Sequence, residues 1–199
     1  MRQNRTRCLW SRFRRDAEGV ALVEFAMLLP VMLIAYCGVV DVVQMVMANR
    51  KVTQLTLALA DLTARFGAVA PADIDNILKA SESVMMPFDG TAVSMTVSSV
   101  VIDANKIAKV CWSNASKGTT PLVRGTTVTL PASVNVPNTS VIMARASYDY
   151  APITGYVLRD ATYTLGNNLI YTRPRTGQAA GTANIEQVVR TGTPACPTF

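Results

Sequence analysis

The sequence predicts an α+β protein in which one long amino-terminal helix is packed on a small antiparallel sheet. Three observations predict it. Residues 20–40 are apolar, with Glu24, Tyr36 and Cys37 as their only ionisable side chains; an apolar stripe in steps of three and four continues to Phe66; and from Thr91 the pattern changes to period two. Of the 199 residues about 150 follow the apolar run, enough for one domain with a core and too few for a second large one.

At 1.5 Å rise per residue, residues 20–40 span about 30 Å, the hydrocarbon thickness of a bilayer. Ahead of them, residues 1–19 hold six arginines against Asp16 and Glu18, a net +4 of the chain's +6. That asymmetry predicts a head held in the cytoplasm and a carboxyl-terminal domain sent across the membrane, and it argues against a nucleic-acid-binding body. The apolar run is too long for a cleaved secretory signal, whose core is about 7–15 residues. Tyr36 stands where a lipid-attachment site needs a small residue, and Arg14-Arg15 is followed by acids rather than by an apolar run.

Glu24 is the anomaly in this run. An acidic residue at the centre of a membrane helix costs roughly 2.5–3.5 kcal/mol on insertion scales, so the carboxylate needs a reason. Cut after Gly19, the chain would begin at Val20 with Glu24 as its fifth residue, and an ammonium and a carboxylate would share one depth. In a low dielectric the pair costs far less than either charge alone.

Basic leader, Gly19, four apolar residues, Glu24, Phe25 and an apolar helix through Pro30 resemble the prepilin-peptidase site of type IV pilins and pseudopilins. The closest resemblance is to the TadE branch (TadE/TadG family) of the tight-adherence, or Tad, pilus system. It implies a pilin-like fold, cleavage after Gly19 with Val20 as the new terminus, and roles in assembly for Glu24 and Phe25. The implied partners are a prepilin peptidase, other Tad pilins or pseudopilins, the inner-membrane assembly platform and the lipid bilayer. Implied too is a single pass through a bacterial inner membrane, amino terminus cytoplasmic and carboxyl-terminal domain periplasmic, with passage into an extracellular pilus on assembly. Many type IV pilins begin the mature chain with a Phe that is then methylated; Val20 leaves methylation open. The alternative is an uncleaved, membrane-anchored periplasmic binding or scaffold protein of the same machinery, with Gly19 and Glu24 incidental.

In chain order, residues 1–19 read as the leader, 20–40 as the membrane helix, 41–66 as its amphipathic continuation and 67–199 as the α+β domain. Pro30 predicts a kink over residues 26–30. Met45, Ala48, Val52, Leu55, Leu59, Leu62 and Phe66 form one stripe, suited to packing on the chain's own domain or to coiling against another helix. Gly67 and Pro71 end this helix, and a shorter one is expected over residues 71–86, with Ile74, Ile77, Leu78 and Met85 inward and Asp73 and Asp75 favoured by the dipole of its first turn. Val93, Met95 and Val97 alternate with polar residues, Asp103 and Asn105 supply turn chemistry, and residues 107–113 return as the second strand of a hairpin. Residues 131–137 are broken by proline, and a stronger strand runs over 141–150. Leu130-Pro131, Val136-Pro137, residues 141–150, Pro152, Gly155 and the ending Tyr171-Thr172-Arg173-Pro174-Arg175 resemble the distal portion of TadE-like domains. Arg173 and Arg175 read as solvated or paired rather than as a phosphate patch. Residues 176–199, rich in Gly, Thr and Pro, read as an irregular tail.

Of the four cysteines, Cys8 falls in the head and Cys37 in the membrane helix, which leaves Cys111 and Cys196 in the exported domain. An oxidising compartment would let these two pair, closing a loop worth roughly 4–5 kcal/mol in the chain-entropy model; two unpaired thiols are the alternative. The chain has no histidine, which removes the commonest general base and metal ligand, and it has neither a phosphate-cradling glycine loop nor zinc-spaced cysteines. No enzymatic activity, cofactor, metal or nucleic-acid partner is expected.

Overall fold

The computed structural model describes residues 18–116, 118–152 and 162–196; the basic leader through residue 17, Gly155 and residues 197–199 lie outside the described residues. The first helix, α1, runs over Glu18–Ala64, with Pro30 inside it, and ends two residues short of the Phe66 read from the stripe. The chain divides into two compact units, with α1 residues through Gln44 in one and Met45–Ala151 with residues 162–196 in the other. In the first unit every side chain from Val20 through Tyr36 is exposed, and Asp41, the first charge after the apolar run, is buried.

In the second unit Ala48, Val52, Leu55 and Leu59 of α1 are fully buried, while Phe66 stays 36% exposed. The stripe therefore faces the chain's own domain, the packing reading of its spacing. Thr56 and Thr63 are buried beside it because their hydroxyls donate back to Val52 O and Leu59 O, each at 2.8 Å. After β1 (Ala68–Val69), the helix α2 (Pro71–Glu82) starts on proline, and its first turn is closed by Asp73, whose Oδ2 accepts from Ala70 N at 2.9 Å. Ile74, Ile77 and Leu78 are its inward face; beyond Glu82 the chain tightens into a 3-10 turn, Ser83–Met85, that buries Met85.

Five antiparallel strands form the main sheet: β2 (Val93–Ile102), β3 (Ala108–Ala115), β4 (Thr127–Val128), β5 (Thr139–Tyr150) and β6 (Tyr163–Thr172), in the spatial order β4-β3-β2-β5-β6. Asp103 makes the β2–β3 hairpin, its Oδ1 accepting from Asn105 N and Ile107 N at 2.8 Å each while Lys106 takes a positive φ of 62°. Alternate residues serve two cores. Val93, Met95, Val97 and Val101 of β2 with Ile142, Ala144 and Ala146 of β5 pack with α1 and α2, whereas Val100, Ile102, Val110, Val141 and Met143 pack with Leu130.

Two features depart from the sequence reading. Strand β6 has no clean alternation to announce it, because Gly166 and Asn167 take positive φ of 80° and 67° where the β5–β6 register shifts. The tail read as irregular contains three short strands, β7 (Gln178–Ala180), β8 (Ile185–Gln187) and β9 (Val189–Arg190). β7 pairs with β8 and β9 with the distant β1, so elements of two or three residues owe their form to partners that local periodicity cannot reveal.

Gly166 is where β6 meets the helix. Its N–H donates to Asn49 Oδ1 at 3.1 Å, and a Cβ there would lie 2.4 Å from Val52 Cγ1 and 2.8 Å from Ala146 O. Gly166→Ala is expected to destabilise the protein by about 1–3 kcal/mol through overpacking and the positive φ. Chemical denaturation in detergent should show a lower midpoint, and pairing it with Val52→Ala should recover only part of the loss because the Ala146 carbonyl remains.

Candidate processing and assembly site

The residues singled out near the amino terminus lie together on the exposed start of α1. A Cβ at Gly19 would meet no atom within 4 Å, Val20 is 66% exposed and Phe25 61%. Val20 and Glu24 are four residues apart, so they share one helical face a single turn apart, with Phe25 next to Glu24 around the helix. Glycine costs a helix roughly 0.8–1 kcal/mol relative to alanine, so the turn carrying the Gly19–Val20 bond opens more readily than its neighbours. Arrayed above it is an apolar surface that no described residue of its own unit covers, consistent with a membrane anchor. Among the described residues this is the one helix long and apolar enough to cross a membrane; its best window has a mean hydropathy of 2.2 and none of it is buried.

A family model described as TadE-like protein matches residues 19–61. Over these residues the helix is similar to the TadE-like family. The match begins on Gly19 and runs through the apolar segment and most of the buried stripe. The distal segments that resemble TadE-like domains, Leu130 through Arg175, lie beyond the matched residues. Neither a curated protein nor a solved structure matches the chain.

The far end of α1 is held by the segment after β6. Ala64 O accepts from Arg175 N at 2.8 Å, the Thr176 hydroxyl donates to Arg65 O, and Asp61 sits between Arg65 at 2.7 Å and Arg175 at 2.5 Å. Arg175 is thus a helix-end clamp, and Arg173 is exposed to solvent. Asp75 is likewise exposed, whereas Asp73 is engaged in its cap, so the two carboxylates form no pair. Among the described residues no three acidic, cysteine or histidine side chains converge. The perturbed groups have plain causes. Desolvation raises the Tyr148 phenol, with the charge of Asp89 adding to it, burial raises Tyr171, and hydrogen bonds from the Thr91 hydroxyl and amide hold Asp89 below the usual carboxylate range.

The structure brings Cys111 of β3 and Cys196 together as a disulfide with a Cα–Cα distance of 5.9 Å, and both residues are buried. Around it the carboxyl-terminal strap is tied to the sheet by groups that sequence reading missed. Trp112 Nε1 donates to Val188 O at 2.7 Å, the Ser140 hydroxyl donates to Glu186 O at 2.6 Å, and Arg124 donates to Pro194 O at 2.8 Å and Cys111 O at 3.1 Å. A tryptophan flanking a cysteine on a strand was the only local signal of that junction. Replacing both cysteines by serine is expected to lower stability by about 4–5 kcal/mol. Denaturant titration of the oxidised and double-serine proteins checks this, and coincident curves would contradict it.

Proposed function

We propose that this chain is a pseudopilin-like component required for assembly of a Tad-type pilus that serves adhesion and surface attachment. A prepilin peptidase cuts it after Gly19, and it acts through its amino-terminal helix rather than by catalysis. The observation that carries the reading is the TadE-like match, which opens on Gly19 and includes Glu24 at the fifth position after it. In this reading the arginine-rich head stays in the cytoplasm of a bacterium, residues 20–40 lie in the inner membrane and the sheet domain lies in the periplasm. Glu24 neutralises the ammonium of Val20 one turn away, and Phe25 with its apolar neighbours meets other pilin helices and the assembly platform. Losing one member of such a desolvated pair typically costs about 3–5 kcal/mol, enough to block entry of a subunit into a packed bundle.

Amino-terminal sequencing of the protein recovered from membranes, with and without the peptidase, is expected to give a peptidase-dependent start at Val20. An intact head would instead make the chain an uncleaved membrane-anchored scaffold. Gly19→Ala adds a methyl group in open space, so it should leave the folded domain unchanged while suppressing the cut. Glu24→Ala and Glu24→Gln should insert into the membrane normally yet reduce sheared pili at least tenfold, a factor of ten being about 1.4 kcal/mol. Wild-type fibre yield from both Glu24 variants would defeat the assembly role.

A further inference from the structure

Gln187 is fully buried on β8, and both ends of its side-chain amide are hydrogen-bonded to backbone. Its Oε1 accepts from Cys196 N at 3.2 Å, and its Nε2 donates to Cys196 O at 2.6 Å and to Ala180 O at 3.1 Å. The orientation of the amide is dictated by chemistry, because an N–H can only donate and a carbonyl can only accept. Gln187 therefore grips both polar groups of the Cys196 backbone, as a neighbouring strand would, and its Oε1 lies 3.3 Å from Cys111 Sγ. No other side chain among the hydrogen bonds described holds Cys196. β8 and Val188, which follows it, are docked on the sheet through the Ser140–Glu186 and Trp112–Val188 hydrogen bonds, neither of which involves a cysteine.

We infer that Gln187 is the positioning residue for the Cys111–Cys196 disulfide, holding the reduced strap with Cys196 against Cys111 so that oxidation selects this pair. A cysteine 85 positions away would otherwise have to be found by an open chain. With β8 seated, the clamp reduces that search to the nine positions that separate Cys196 from Gln187. The oxidant is a disulfide, either small or carried by a thiol oxidoreductase. One thiolate attacks it and expels a thiol, and the second thiolate attacks the resulting mixed disulfide and expels the other. Two cysteine thiols thereby lose two electrons and two protons, and one oxidant disulfide becomes two thiols. Because Cys111 is 2% exposed and Cys196 0%, reduction requires the strap to lift, and the same clamp governs both directions. The inference holds whether or not the leader is cut.

The test uses the full chain in detergent with Cys8 and Cys37 replaced by serine, equilibrated in glutathione buffers, acid-quenched and weighed after thiol alkylation. Gln187→Met, which keeps size and loses the amide, is expected to lower the oxidation equilibrium constant about tenfold and to speed reduction by dithiothreitol to a similar degree. Gln187→Asn, which keeps an amide but withdraws it by one methylene, should move both in the same direction and serves as the deciding variant if the methionine protein fails to fold. Ser140→Ala loosens β8 but leaves the grip on Cys196, so its effect should be several-fold smaller. Oxidation constants within twofold of the parent in the Gln187 variants, or an equal loss in Ser140→Ala, would overturn the assignment.

Discussion

The second unit depends on the burial of one helical stripe. Ala48, Val52, Leu55 and Leu59 are wholly removed from water, and each buried Val or Leu contributes roughly 1.5–3 kcal/mol relative to exposure. For that contact to form, the sheet must let the helix come close, and Gly166 is the point of approach: any side chain there would occupy the space of Val52. The bend that Gly166 and Asn167 introduce in β6 is thus matched to the helix. The clamp of Arg175 and Thr176 on the last turn and the pairing of β1 with β9 then hold the helix end against the same core.

Along α1 the same chain solves two solvation problems. From Met45 onward it is amphipathic and covered by its own sheet, while from Val20 through Tyr36 its side chains are exposed and, Glu24 apart, almost all apolar. Only one carboxylate interrupts that exposed segment, and it sits one turn from Val20. A feature that would be costly in any other position becomes intelligible if a positive charge is created beside it, which is why Gly19, Val20 and Glu24 belong to one argument.

What could be read from sequence was what is local. The helical stripe, α2 with Asp73 in its first turn, the Asp103 hairpin and the break over residues 131–137 all announce themselves within a dozen residues. So does the Gly19 to Glu24 spacing, since its meaning lies on one helix face. The structure of the carboxyl-terminal quarter was not legible for the opposite reason. β6 is interrupted in its middle, β7 to β9 are too short to show a period, and β9 finds its partner at Ala68–Val69, more than a hundred positions earlier. The cysteine pair could be proposed by setting aside Cys8 in the basic head and Cys37 in the apolar run, but a buried glutamine that binds backbone leaves no mark in composition or spacing.

The strap has a consequence for how the protein comes into being. Ile185, Val188 and Cys196 are buried members of the same core as Val52 and Leu59, so segments more than a hundred positions apart meet in one place. A nascent chain that has not yet reached residue 185 lacks these core residues, the partner for β1 and the cover over Trp112. The domain therefore has no complete core until residues 185–196 are available. A protein built in this way can be threaded through a narrow passage as an extended chain and close its core only when the carboxyl terminus has arrived on the far side.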